Sequence, residues 1–140
     1  MKKILVPVDG SDCSIRAIKE AVELAELYHG NITLLNVLDV RSATSFFNED
    51  KTIRMQVDMV ERSDKILEEA KKYAAALGDR VHSVQMEGNQ ADTIVAYAHD
   101  NEIDLVVMGA HGTSGFRRFV LGSVTNKVVN AIEKPILLIR

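Results

Sequence analysis

The chain has 140 residues, 46% of them hydrophobic and 26% charged, the balance of one globular domain with a single sizeable core. Seventeen basic residues against twenty acidic ones leave a formal charge of −3, which argues against a nucleic-acid platform. The lone cysteine, Cys13, excludes an internal disulfide framework and suits a reducing compartment. The apolar run in MKKILVPVDG stops at Asp9, too early for a secretory segment, and no later run is long enough to cross a membrane, so a cytoplasmic protein without a membrane partner is expected.

Lys3 to Val8 reads as a buried strand, with Pro7 near its end, where a missing N–H costs least. Asp9-Gly10-Ser11 is a turn. From Asp12 to His29, Ile15, Ile18, Ala21, Val22, Ala25 and Tyr28 recur at helical spacing, and Gly30 is placed to end that helix. Ile32 to Val40 is a second buried strand. Arg41 to Asp50 is the least patterned segment and carries Phe46 and Phe47. A second helix spans about Thr52 to Leu77, with Ile53, Val57, Val60, Leu67, Ala70, Ala74 and Leu77 as its apolar stripe, and stops at Gly78. Val81 to Met86 is partly polar and belongs at a sheet edge. Asn89 followed by Asp92 caps a helix running to about Asn101 that buries Ile94, Val95 and Ala98.

Leu105 to Met108 is a short buried strand. It breaks at Gly109-Ala110-His111-Gly112, passes through a polar and basic loop to Arg118, and resumes as a helix at Gly122-Ser123-Val124-Thr125. After Lys134-Pro135 a last apolar strand runs from Ile136 to Ile139. Strand and helix alternate throughout, which predicts βαβ crossovers and an open, mostly parallel α/β sheet covered by helices on both faces. Ligands bind such sheets outside the carboxyl ends of strands, where the strand order reverses.

The Gly109 loop has the layout of a phosphate site. Glycines allow close backbone approach, and a helix N-terminus offers free N–H groups and a positive dipole end to an anion. Glycines in a loop also serve where the backbone needs a positive φ, and that reading stays open. No GK[ST] follows the glycines, so the segment is not a P-loop, and GxxG is not the dinucleotide fingerprint GxGxxG. Asp9, at the end of the first strand, can accept hydrogen bonds from ribose hydroxyls or an adenine amine, and is equally good turn chemistry. Arg117 and Arg118 suit phosphate neutralisation or a solvated face. The histidines, His29, His82, His99 and His111, show no metal-ligand spacing, and His111 alone falls inside the loop. Cys13 has no partner histidine or second cysteine. No catalytic constellation and no metal site can be read from the sequence.

The spacing Gly109-x2-Gly112-x9-Gly122-Ser123, the opening ILVPVDGS, the strands ITLLNVLDV and DLVVMGAHG, and the ending LGSVTNKVVNAIEKPILLIR together resemble the ATP-binding branch of the universal stress protein family. The resemblance covers residues 1–140 as one domain. It implies a Rossmann-like, five-stranded parallel sheet of order 3-2-1-4-5. It also implies an adenine-nucleotide site formed by Pro7, Val8, Asp9, Val37, Met108, Gly109, His111, Gly112, Gly122, Ser123, Val124 and Thr125. Asp9 would contact the nucleoside, backbone near Val37 would read the adenine, and Gly109, Gly112, Gly122, Ser123 and Thr125 would cradle phosphate. The ligand implied is ATP, AMP or another adenine nucleotide, with Mg²⁺ as a companion, and the role is that of a regulatory sensor in stress response. Family members pair through the last strand, so a homodimer through Ile136–Ile139 is expected. The competing readings are a slow Mg²⁺-dependent ATP hydrolase, for which His111, Asp9 and Asp39 are the groups on offer, and a nucleotide-free dimeric adaptor.

Overall fold

The computed structural model describes residues 2–112 and 120–140. Its five strands are β1 (Lys3–Pro7), β2 (Asn31–Leu38), β3 (Val81–Glu87), β4 (Leu105–Gly109) and β5 (Ile136–Ile139), all parallel in the order β3-β2-β1-β4-β5. This is the expected α/β sheet and strand order, with the polar β3 at one edge. The helices are α1 (Asp12–Tyr28), α2 (Val40–Thr44), α3 (Glu49–Tyr73), α4 (Gln90–Asp100) and α5 (Ser123–Ala131), and a 3₁₀ turn covers Ala75–Arg80.

Alternate residues of the central strands feed two cores. Ile4, Val6, Ile32 and Leu34 pack under α1 and α3, against Ala17, Ile18, Ala21, Leu67 and Ala70. Leu5, Leu35 and Val106 face the other way, against Ala91, Ile94 and Ala98 of α4 and Val128 of α5. A continuous apolar strand is therefore the correct pattern for a sheet buried on both faces. Asp104 clamps β1 to β4 at their amino ends: its Oδ2 accepts from the backbone N–H groups of Lys2 and Lys3, each at 2.9 Å, while its own N–H donates to Lys3 O.

Several boundaries move. The left-handed residue that ends α1 is His29, with φ 54°, rather than Gly30, whose N–H reaches back to Ala25 O. Tyr28, at helical spacing with the buried stripe, is exposed in the last turn of α1. The 41–50 stretch is not one long loop. Asp39 caps the short α2 and Asn48 caps α3, so α3 starts before Thr52. It ends at Tyr73, ahead of Gly78, which sits with φ 60° inside the 3₁₀ turn.

The largest departure is the apolar stripe of α3. Leu67 and Ala70 are buried as expected, but Ile53, Val57 and Val60 are exposed at 53%, 52% and 39%. The cause is length. A 25-residue helix spans about 37 Å, whereas the eight-residue β2 beneath it spans about 26 Å, so the first turns of α3 run past the sheet.

Two stability measurements check this layout. Leu67→Ala is expected to cost about 2–4 kcal/mol in denaturant unfolding, and Val57→Ser no more than about 0.5 kcal/mol. The two N–H bonds hold the Asp104 carboxyl below its ordinary pKa, Lys3 contributing most. Its contribution is therefore present above the unfolded-state value of about 4 and lost as pH falls through the lowered folded value. Because the group is exposed, Asp104→Asn is expected to cost less than about 1 kcal/mol at neutral pH, with the gap to the parent closing in acid.

Candidate functional site

The carboxyl ends of β1, β2 and β4 meet where the strand order reverses about β1, and a cavity of about 330 Å³ opens there. Its size is that of sites for small organic ligands. Pro7, Val8 and Asp9 line it after β1, Leu35, Asn36 and Val37 on β2, and Met108 and Gly109 on β4. His111 and Gly112, Ser14 of α1, Gln90 and Ile94 of α4, and the stretch from Gly122 to Thr125 complete the wall. The twelve residues that the family resemblance assigns to the site all line this one cavity, although they come from four separate segments.

The glycines matter for closeness rather than backbone twist, since none of Gly109, Gly112 and Gly122 has a positive φ. A Cβ on Gly109 would stand 2.8 Å from Cys13 Cβ and 3.0 Å from the Cys13 carbonyl carbon. Only glycine lets the end of β4 lie against the first turn of α1. A Cβ on Gly112 would come 2.9 Å from Asp9 Oδ2. Gly122 is different: its φ of −59° suits any residue, and an added Cβ would find its nearest protein atoms 3.4 Å away. Neither backbone twist nor severe crowding demands glycine at 122.

The helix starts show a second contrast. Ser11, Asp39, Asn48 and Asn89 cap α1, α2, α3 and α4, each side chain accepting from a backbone N–H three residues on. Helix α5 begins at Gly122 without any side-chain cap. Its first internal bond runs from Asn126 N to Gly122 O, so the N–H groups of Ser123, Val124 and Thr125 have no protein partner among the described residues. Those residues line the cavity. The geometry is an uncapped, partly positive helix end opening into a cleft.

Side chains around it are partly committed. Asp9 Oδ1 accepts from Ser11 N at 2.9 Å, so one oxygen serves the turn while the other lies beside Gly112. Thr125 is buried and its hydroxyl donates to Gly109 O at 2.9 Å. That proton joins α5 to β4, so what Thr125 offers the cavity is its backbone N–H. Ser123 is exposed at the helix start. Arg117 and Arg118 lie outside the described residues. Asp39 is spent as the cap of α2, Oδ1 accepting from Ser42 N, and does not line the cavity. His111 is the one histidine in the wall. His29 ends α1, His82 is on β3, and His99 pairs with Asp100 in solvent. Among the described residues no three His, Cys, Asp or Glu side chains group as a metal site.

Ser14, Leu35, Asn36, Gln90 and Ile94 were not anticipated. Asn36 had a signal, being the one polar residue in Leu34–Leu38. It is buried, and its Nδ2 donates to Val8 O at 2.7 Å, holding the ends of β1 and β2 together. The others lie in helical or strand patterns that look purely structural.

The sequence model of the universal stress protein family matches residues 1–140. The chain belongs to the universal stress protein family. It is 32% identical over 139 residues to a universal stress protein of Methanocaldococcus jannaschii, covering 99% of this chain and 82% of that protein. Identity is also 32% over 145 residues to YxiE of Bacillus subtilis, covering 99% and 98%. The solved universal stress protein UspA of Lactobacillus plantarum superposes with a TM-score of 0.87 at 28% identity, covering 99% of this chain and 97% of that one. Among the described residues, no helix of this family member is long and apolar enough to cross a membrane.

The Thr125–Gly109 bond carries a direct test. Thr125→Val keeps the shape and leaves Gly109 O without its donor, so a loss of about 1–2 kcal/mol is expected in denaturant unfolding, largely recovered in Thr125→Ser.

Proposed function

We propose that this universal stress protein binds an adenine nucleotide in the cleft between β1 and β4 and acts as a regulatory nucleotide sensor. The observation that carries the reading is the uncapped start of α5, whose three N–H groups open into a cavity of ligand size. Phosphate oxygens are acceptors and carry charge, and both properties match a helix N-terminus. Gly112 and Gly122 leave room for the phosphate, and Ser123 adds a hydroxyl.

At the other end of the cleft, Asp9 would accept from the ribose hydroxyls, and the backbone about Val37 would read the adenine edge. Val8, Leu35, Ile94, Met108 and Val124 offer apolar surface to the base. Solved members of the fold support this ligand class. One is in complex with cAMP at 24% identity and a TM-score of 0.70, one from Archaeoglobus fulgidus with dAMP at 21% and 0.75, and one from Arabidopsis thaliana with AMP at 20% and 0.70.

ATP is the nucleotide we favour. Its Mg²⁺ would arrive with the phosphates, since Asp9 is the one carboxylate among the lining residues. Asp9 and His111 are the titratable lining groups, and one Asp9 oxygen already serves Ser11 N. Binding rather than turnover is therefore the reading adopted. The role in stress response would follow from occupancy: a bound nucleotide favours whichever conformation it holds best, and a partner reads that population. Strand β5 is an edge whose four residues are each half-buried, and we propose that a second copy pairs there in a cytoplasmic homodimer.

Isothermal titration with ATP and with AMP tests the site. Saturable binding is expected for the parent chain. Gly122→Val, whose φ of −59° suits a branched residue, should keep its circular dichroism and lose affinity by at least about 100-fold as its methyls fill the phosphate space. Undiminished affinity in that variant would overturn the assignment.

A further inference from the structure

A second cavity lies on the opposite side of β1, in the groove between α1 and α3, and encloses about 300 Å³. Its floor is apolar, built from Ile15 of α1 and Ile66 and Tyr73 of α3, with the buried Ile18 beneath them. Its rim is cationic. Arg62 and Lys65 line the groove and stand in no ion pair among the described residues. The one carboxylate on the rim, Glu69, is bridged at 2.8 Å by Lys72. At the far end Lys19 sits 5.4 Å above the Tyr73 ring. None of these residues serves the nucleotide cleft.

We infer that the α1–α3 groove is a second ligand site, for an amphiphilic monoanion of the medium-chain fatty carboxylate class. The alkyl chain lies along Ile15, Ile66 and Tyr73, and the carboxylate is held by Arg62 and Lys65. Burying a chain there removes apolar surface of both partners from water, and the two cations supply the complement to a single negative head. An uncharged amphiphile leaves both cations without a partner, and a purely polar ligand leaves the floor uncovered.

The groove also touches the first cavity. Val8 and Ser14 line both. Ile66 packs on the backbone of Gly10, where a Cβ would meet its Cγ1 at 3.4 Å, and Gly10 holds a left-handed φ of 83°. The turn that carries Asp9 therefore rests on a side chain of the groove floor. We further infer that a chain lying on Ile66 shifts it under that turn, which would link the two sites reciprocally. This linkage rests on the nucleotide reading, whereas the groove site itself does not.

The test is a titration of the full chain with decanoate, followed by the methyl NMR signals of isoleucine, with decanol as the uncharged control. Saturable shifts at Ile15, Ile18 and Ile66 are expected, with decanol at least about 10-fold weaker. The surface double variant Arg62→Glu/Lys65→Glu should fold normally and lose at least about 10-fold in decanoate affinity. Equal affinity for decanol, indifference to the charge reversal, or shifts confined to Ile94 in the first cavity would overturn the site. Repeating the titration at saturating AMP should change the apparent decanoate affinity by about threefold or more, and an unchanged value would overturn the linkage. Failure of AMP to bind would count against the nucleotide reading alone, because the first titration contains no nucleotide.

Discussion

The parallel pairing of β1 with β2 on one side and β4 on the other is the constraint on which this molecule depends. It places the carboxyl ends of three strands side by side and sends the chain off in opposite directions around them, which opens a cleft between the two helix layers. Gly109 then decides how closely β4 and α1 approach, because its missing side chain lets the strand end lie against Cys13 and Ser14. Thr125 fastens the start of α5 to the same glycine through a buried hydrogen bond. The starts of α1 and α5 are thus both fixed to the end of β4.

That arrangement is compatible with the proposed anion site in a chain of net negative charge. Net charge describes the whole surface and falls off over a Debye length, whereas a ligand in a cleft responds to the dipoles it touches. Four helices close their N-termini with Ser, Asp or Asn. The fifth starts at glycine, and its first N–H groups have no partner among the described residues. The contrast lies in one residue type at one position, and it is the feature on which the proposed recognition of phosphate rests.

Much of this was legible in the sequence because it depends on local rules. Continuous apolar runs marked strands buried on both faces. Asn89 and Asp92 marked the start of α4, and Gly122-Ser123 marked the start of α5. The order of strands was not legible from periodicity, since adjacency of β1 and β4 is a long-range fact, and it came from the family resemblance. Helical periodicity also placed Ile53, Val57 and Val60 on a buried face, because a pattern in one helix cannot tell how far the sheet beneath it extends. The capping role of Asp39 was hidden in the apolar run read as the second strand, and that of Asn48 in a stretch without apolar rhythm. Asn36 and Gln90 joined the cleft only when the ends of β2 and the start of α4 were brought together. The internal use of the Thr125 hydroxyl likewise depends on a carbonyl sixteen residues away.

The measurement that bears most directly on the account is a map of backbone amide shifts on titration with AMP, run beside adenosine. If the α5 N-terminus holds phosphate, AMP should shift the amide signals of Ser123, Val124 and Thr125 strongly. Adenosine should then perturb the Asp9 and Val37 region while leaving those three nearly unmoved. Identical shifts from adenosine and AMP at α5, or AMP binding that leaves Ser123 to Thr125 untouched, would contradict it.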